Sequence, residues 1–438
     1  MIPGKMSVKR PVMQRLLMEK LVEWKKDLHK SPLILQGVPQ CGKTYLLKEF
    51  GSRFYENVIY MDFEEDKHLA DFFEVNLSPD RIIKDISLFN NMDIDPDKTL
   101  IIFDNIHTCA LALQSLEYFC DEEKKHSIIA ICPFLESAIP KVESMTLFPM
   151  NFYEFLLAQN SMLAMHLKES SFNDEAVKTF STQLEELFRD FQIVGGMPEV
   201  VECWINTKSI EMVDKLQSRI ISGYENDFAK IAPITMFPKL KAIWEAIPPQ
   251  LSKENRKFIF SRVKKSWRAK DLEDALYSLI RAGLVYKVEH IEKPEIPLSG
   301  YVNHTHFKLY MCDTGLLRRT ARIPASVILD KSNNFKEIKG AIIENIVCCE
   351  LKRIYEDDLY YWSAENPGRA EVEFIVQDGS GIIPIVAKSG STSHTRSLIQ
   401  YAVRFKPEKS VMTSMDNDKP DVIPLYAFWN LKEWLSVQ

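Results

Sequence analysis

Eight consecutive residues, Gly37-Val38-Pro39-Gln40-Cys41-Gly42-Lys43-Thr44, carry the most sharply defined chemistry in this sequence. They read GxxxxGK[ST], the pattern of a loop that cradles phosphates. Glycines let backbone N–H groups curl around phosphate oxygens, and a helix starting at the loop's end adds a favourable dipole. Lys43 is placed to reach the terminal phosphates of a nucleotide, and the Thr44 hydroxyl to hold Mg²⁺. With Tyr45 these residues form the expected nucleotide-binding stretch. The other half of such a site is an apolar strand ending in Asp, whose carboxylate holds Mg²⁺ through water. Leu100-Ile101-Ile102-Phe103-Asp104 has that form, so Thr44 and Asp104 are the expected metal residues.

Cutting the nucleotide needs more than gripping it. ATPases of the strand-inserted type carry Glu after this Asp as the base that activates water. Here the position holds Asn105, which accepts no proton at neutral pH. Losing a general base costs on the order of 10²–10⁴ in rate. His107 titrates near neutrality and is the alternative base, although a solvated loop histidine is the plainer reading. At the end of the strand over 126–132, a polar residue touching the γ-phosphate is expected, and Cys132-Pro133 stands there. Pro133 has neither a hydroxyl nor an N–H.

The elements that must position these groups are legible around them. Pro32-Leu33-Ile34-Leu35-Gln36 reads as a strand before the loop, and Thr44–Phe50 as a helix after it. An amphipathic helix is expected within residues 8–30. Further strands are expected over 57–63, 98–105, 126–132 and 145–150. Strands alternating with helices imply a parallel sheet with helices on both faces. The chain has 438 residues, too many for one ordinary core. A hydrophobic content of 46% and a charged content of 26% are those of a soluble globular protein. The formal charge of −6 gives no global attraction to nucleic acid or anionic membrane. No apolar run is long enough to span a bilayer, and no signal peptide is evident. Eight cysteines without a CxxC pair point to a reducing, cytoplasmic setting. Cys41 is read as a small filler within the loop.

The chain resembles the prokaryotic AAA-type ATPases whose C-terminal half is a domain of unknown function. The resemblance rests on Leu33–Gly37 through Lys43–Leu47, on Leu147-Phe148-Pro149-Met150-Asn151-Phe152-Tyr153-Glu154-Phe155-Leu156, and on Val194-Gly195-Gly196-Met197-Pro198-Glu199. It continues in Phe307–Leu317, which contains Asp313-Thr314-Gly315, and in Lys339–Asn345. It implies ATP and Mg²⁺ as cofactors. It also implies an α/β architecture of a P-loop NTPase domain over residues 1–150, a lid-like helical segment over 151–235, a winged-helix-like domain over 236–325, and a PD-(D/E)XK nuclease-like domain over 326–438. Departures cluster at one chemical centre. The family has Asp-Glu where Asp104-Asn105 stands, Gly-Ser near Cys132-Pro133, and a glycine that the stretch around Lys141 lacks. The expected activity is therefore Mg-ATP binding with weak or lost hydrolysis. The alternatives are an active ATPase using His107 and a DNA-binding protein.

In a nuclease of that fold, a helix Glu, a strand Asp and an acidic-x-Lys strand gather Mg²⁺ and orient water. Glu344, Glu373 and Lys388 stand at these positions, with Val386 replacing the acidic member, so the site is read as degenerate. Hard divalent cations need oxygen ligands, which Val386 lacks. In the winged-helix-like stretch, helices precede Leu284–Val288 and Phe307–Tyr310, which are read as a wing. Lys253, Arg256, Lys257, Arg262, Lys264, Lys265, Arg268 and Lys270 form a basic approach, while Asp271, Glu273 and Asp274 oppose phosphate. Self-association and weak DNA contact are open expectations for partners beside ATP. A membrane is not expected.

Overall fold

The computed structural model describes residues 13–121, 125–133, 139–169, 178–253, 255–330, 332, 334–364, 370–389, 396–415 and 422–437. The chain divides into two compact units. One comprises residues 14–148 with 281–283, and the other the remainder.

The first unit is a five-stranded sheet of β1 (Leu33–Gln36), β2 (Asn57–Asp62), β3 (Thr99–Asp104), β4 (Ser127–Ile131) and β5 (Glu143–Thr146). Their order is β2-β3-β4-β1-β5, and every pairing is parallel. Helices α1 (Leu17–Lys26), α2 (Lys43–Phe54), α3 (Pro79–Asn90) and α4 (Ala110–Cys120) accompany it. β3 and β4 are buried at every position, the continuous apolar pattern of strands covered on both faces. Ile34, Ile59, Ile101, Phe103, Ile128 and Ala130 join Ile82, Ile86 and Leu116 of the helices in one core. Insertion of β4 between β1 and β3 separates the loop strand from the Asp104 strand by one strand. Pro79 starts α3, where its missing N–H costs nothing, and Asn91 ends it in the left-handed region.

The second unit opens with helices, including α5 (Ile210–Ile231), α6 (Phe237–Leu251) and α7 (Ala269–Arg281). A seven-stranded mixed sheet follows. It contains β6 (Val285–Ile291), β7 (Val302–Met311), β8 (Leu359–Ser363), β9 (Glu371–Asp378), β10 (Gly381–Lys388), β11 (Val411–Ser414) and β12 (Val422–Pro424). The order is β12-β11-β10-β9-β8-β6-β7. Helices α8 (Lys336–Tyr355) and α9 (Arg396–Phe405) belong to this part.

β6 and β7 pair antiparallel, as the alternation in their sequences suggests. They are not a free-standing wing, because β6 also pairs in parallel with β8 through Val288↔Leu359 and His290↔Tyr361. The division expected at residue 325 therefore falls within a unit whose sheet draws strands from both sides of it. Two separated segments meet in this unit. The Gly196 N–H donates to Asp313 Oδ2 at 2.6 Å, and Asp313 Oδ1 accepts from Leu316 N at 2.9 Å, starting the helix Thr314–Thr320. A Cβ on Gly196 would lie 1.9 Å from the Met150 carbonyl oxygen, so the backbones touch there. Among the described residues, no helix is long and apolar enough to cross a membrane.

Candidate nucleotide site

The loop after β1 is braced by backbone. Gly37 has φ +147°, and a Cβ there would sit 2.2 Å from the Leu147 carbonyl oxygen. Its N–H donates to Pro133 O at 3.4 Å. The residue at the expected γ-phosphate-sensing position thus meets the loop through a carbonyl, the one polar group that proline retains. Arg15 donates to Cys41 O at 2.8 Å and to Phe148 O at 2.5 Å. Cys41, fully buried, donates its thiol to Leu147 O at 3.3 Å and fills the loop's underside. Gln40 and Gly42 take positive φ, and Gly42 precedes α2. Val38 is buried and Tyr45 half-exposed at the mouth of the loop. Pro39 lies between Val38 and Gln40 in the same turn.

Lys43 is folded back into the loop. Its Nζ donates to Gly37 O at 2.7 Å and to Val38 O at 3.0 Å. The Thr44 hydroxyl donates to Asp104 Oδ2 at 2.7 Å, which joins residues sixty positions apart. Two oxygen donors with a carboxylate charge fit a hard divalent cation such as Mg²⁺. The Asn105 N–H donates to Asp104 Oδ1 at 2.9 Å, so both oxygens of that carboxylate are held.

Two groups at this edge of the sheet escaped the sequence reading. The Tyr60 hydroxyl donates to Asp104 Oδ2 at 2.8 Å and to Asp62 Oδ2 at 3.3 Å. Burial, then the bond to Asp104 and the charges of Asp104 and Asp62, push the Tyr60 phenol well above its ordinary range. Asp62 ends β2 as Asp104 ends β3, and the two are register partners. Its Oδ1 accepts from Asn105 Nδ2 at 3.0 Å and from the N–H groups of Glu64 and Glu65 at 2.9 and 3.3 Å. Burial alone would raise the Asp62 carboxyl, but these bonds and that from Tyr60 outweigh it and hold it below its ordinary value. Two strands that pair in parallel and both end in Asp were the available signal.

The other predicted residues are placed as follows. Asn105 adopts a left-handed backbone with φ 54° and ψ 33°. His107 lies on the 3-10 turn Ile106–Thr108 just beyond it. Burial pushes the Cys132 thiol up to about 12, so it stays neutral beside the loop. Lys141 pairs with Asp121 at 2.6 and 2.9 Å on the surface, the solvated role rather than a phosphate-facing one.

In the second unit, Glu344, Glu373 and Lys388 do come together, in a knot of paired charges. Glu344 on α8 is 1% exposed. It pairs with Arg256, accepts from the Tyr310 hydroxyl at 3.0 Å, and lies 3.8 Å from Lys308. Lys308, fully buried on β7, donates to Glu371 at 2.5 Å. Lys388 donates to Glu373 at 2.5 Å. Burial would raise the Glu344 carboxyl, but Arg256, Lys308 and Lys388 hold it below its ordinary value. Glu373 goes the other way, raised by burial despite Lys388. Val386 is buried in an apolar cluster with Trp362, Ile375 and Tyr401. Among the described residues, no group of three His, Cys, Asp or Glu side chains is arranged to hold a metal ion. Arg256, which the sequence counts with the basic surface, is turned inward, its side chain 14% exposed.

Residues 29–156 match an AAA domain family. Residues 185–326 and 339–428 match two domains of unknown function, DUF8612 and DUF4143. No curated protein matches the chain. Among solved structures, a Walker-type ATPase of Pyrococcus abyssi is 14% identical, with 71% of this chain and 96% of that one covered and a TM-score of 0.44. The Aeropyrum pernix ORC1 protein, solved in complex with DNA, is 14% identical, with 72% and 93% covered and a TM-score of 0.28. A signal-transduction ATPase with a tetratricopeptide repeat sensor from Pyrococcus horikoshii is 14% identical, with 76% and 45% covered and a TM-score of 0.27. Likenesses so distant assign no activity. The AAA match and the loop it encloses make residues 29–156 an AAA-type P-loop domain, which two domains of unknown function follow along the chain.

Proposed function

We propose that the chain binds Mg-ATP at the loop Gly37–Thr44, hydrolyses it slowly, and acts through its nucleotide-dependent conformation. The observation that carries this reading is the 2.7 Å bond between Thr44 and Asp104, at the foot of a loop with Lys43 inside it. Phosphate oxygens entering the loop would draw Lys43 Nζ from the Gly37 and Val38 carbonyls, exchanging neutral acceptors for charged ones. Thr44 and Asp104 are the residues that would hold Mg²⁺, which would supply positive charge against the phosphates of the nucleotide. Asn105 takes no proton from water, and Pro133 has no donor for the γ-phosphate, which supports slow turnover. Calorimetry with Mg-ATP tests the binding. Lys43→Ala is expected to weaken it at least about tenfold, near 1.4 kcal/mol. Equal affinities for variant and wild type would sink the reading.

Weak DNA contact by the second unit is a second proposal, favoured by one observation. Lys253, Arg262, Lys264, Lys265, Arg268 and Lys270 are all exposed along one stretch. Cations so grouped bind phosphates with an affinity that falls as salt rises. Retention of a short duplex is expected to decline steeply with salt. It should drop at least about tenfold when Lys264 and Lys265 are both changed to Glu. Retention unchanged by that double substitution would end the proposal. Cleavage is not expected, since internal cations neutralise Glu344, Glu371 and Glu373.

A further inference from the structure

We propose that Asp62 is the acceptor that orients the attacking water, the task that Asn105 cannot perform. The inference rests on Mg-ATP binding as proposed above. β2 and β3 run parallel and in register, with Asp62 opposite Asp104. Both carboxylates therefore leave the carboxyl edge of the sheet, where open α/β sheets hold their ligands. Asn105 directs its amide nitrogen at Asp62 Oδ1, 3.0 Å away. At the position after the metal-holding Asp, the side chain thus clamps a carboxylate instead of supplying one.

The clamp is selective between the two oxygens. Oδ1 takes three donors, from Asn105, Glu64 and Glu65. Oδ2 has Tyr60 at 3.3 Å, while the same hydroxyl reaches Asp104 at 2.8 Å. Oδ2 is therefore the loosely engaged oxygen of a carboxylate whose rotamer is fixed. Asp62 is partly exposed, so water reaches it. Tyr60 and Asp104 link Asp62 to Thr44 at the end of the loop, so a water donating to Oδ2 would keep its oxygen lone pair for the γ-phosphorus of a nucleotide bound there. In the step, the water oxygen bonds to the γ-phosphorus and the bond from that phosphorus to the β–γ bridging oxygen breaks. The electron pair stays on the ADP β-phosphate. The water's proton passes to a γ-phosphoryl oxygen and leaves with inorganic phosphate. Asp62 accepts a hydrogen bond throughout and keeps its charge.

The test measures Mg-ATP affinity by calorimetry and phosphate release at saturating Mg-ATP on the full chain. Asp62→Asn retains a carbonyl oxygen for the Glu64 and Glu65 N–H groups, so the turn survives. It is expected to lower turnover about 100-fold, the cost of a misoriented reactant, with affinity within about threefold of wild type. Asp62→Glu, with its carboxylate displaced, should recover part of the loss. In an Asn105→Glu background, which carries its own carboxylate, Asp62→Asn should cost less than about threefold. Wild type that binds Mg-ATP but releases no phosphate above a no-protein blank would overturn the inference. So would Asp62→Asn turning over like wild type, or turnover lost in His107→Ala and kept in Asp62→Asn. Absence of Mg-ATP binding by wild type would overturn the underlying reading instead, and calorimetry registers that before any turnover is measured.

Discussion

Gly37→Ala is expected to raise the dissociation constant for Mg-ATP at least about 100-fold, near 2.8 kcal/mol. Two effects act together. The residue's φ of +147° lies where an L side chain is strained. The new Cβ would also lie 2.2 Å from the Leu147 carbonyl oxygen. That oxygen cannot simply retreat. Leu147 N donates to Gln36 O at 2.8 Å, continuing the β1–β5 ladder, and Cys41 Sγ donates to the oxygen itself. Either the ladder opens or the loop moves, and both displace the N–H groups that would meet phosphate. Cys41→Ala removes only the thiol beneath the loop and is expected to change affinity less than about threefold. Calorimetry on both variants, with far-UV circular dichroism to establish folding, measures the contrast. Gly37→Ala binding as wild type does would show that the nucleotide is not cradled by this loop.

The same loop illustrates what local sequence carries. Gly37 to Thr44 could be read directly because phosphate binding needs glycines, a lysine and a hydroxyl at fixed spacing on one short turn. Asp104 was legible for a related reason, as the polar end of an apolar run. Four of the five parallel strands followed from β-branched and aliphatic runs separated by helical periodicity, whereas the fifth, Glu143–Thr146, is polar at its start and shares only Met145 and Thr146 with the run expected at 145–150. Asp62 and Tyr60 were not legible. Their meaning depends on which strand lies beside β2 and in what register, and no local pattern encodes that. A shift of one residue would turn both side chains to the opposite face. The pairing of β6 with β8 was hidden likewise, because β6 alternates as a wing strand does whether or not a further strand joins it. Arg256 illustrates the limit of counting charges. It sits among seven other cations in sequence, and only the fold turns it away from them toward Glu344.

That inward turn has a measurable consequence. Arg256→Met is expected to destabilise the second unit by about 3 kcal/mol, because it leaves Glu344 buried with reduced compensation. Lys308 at 3.8 Å and the Tyr310 hydroxyl at 3.0 Å remain to moderate the loss. Pairing Arg256→Met with Glu344→Leu removes the orphaned charge and should recover most of the stability, since apolar replacement of a buried pair is often near neutral. Urea unfolding followed by tryptophan fluorescence gives the three values, and their non-additivity gives the coupling. The DNA proposal supplies the opposite control. A solvent-facing Arg256 would make Arg256→Met weaken DNA retention as Lys264→Glu does, with stability changed by less than about 0.5 kcal/mol. The ion pair with Glu344 requires the reverse, with stability lost and the remaining folded protein retaining DNA as wild type does.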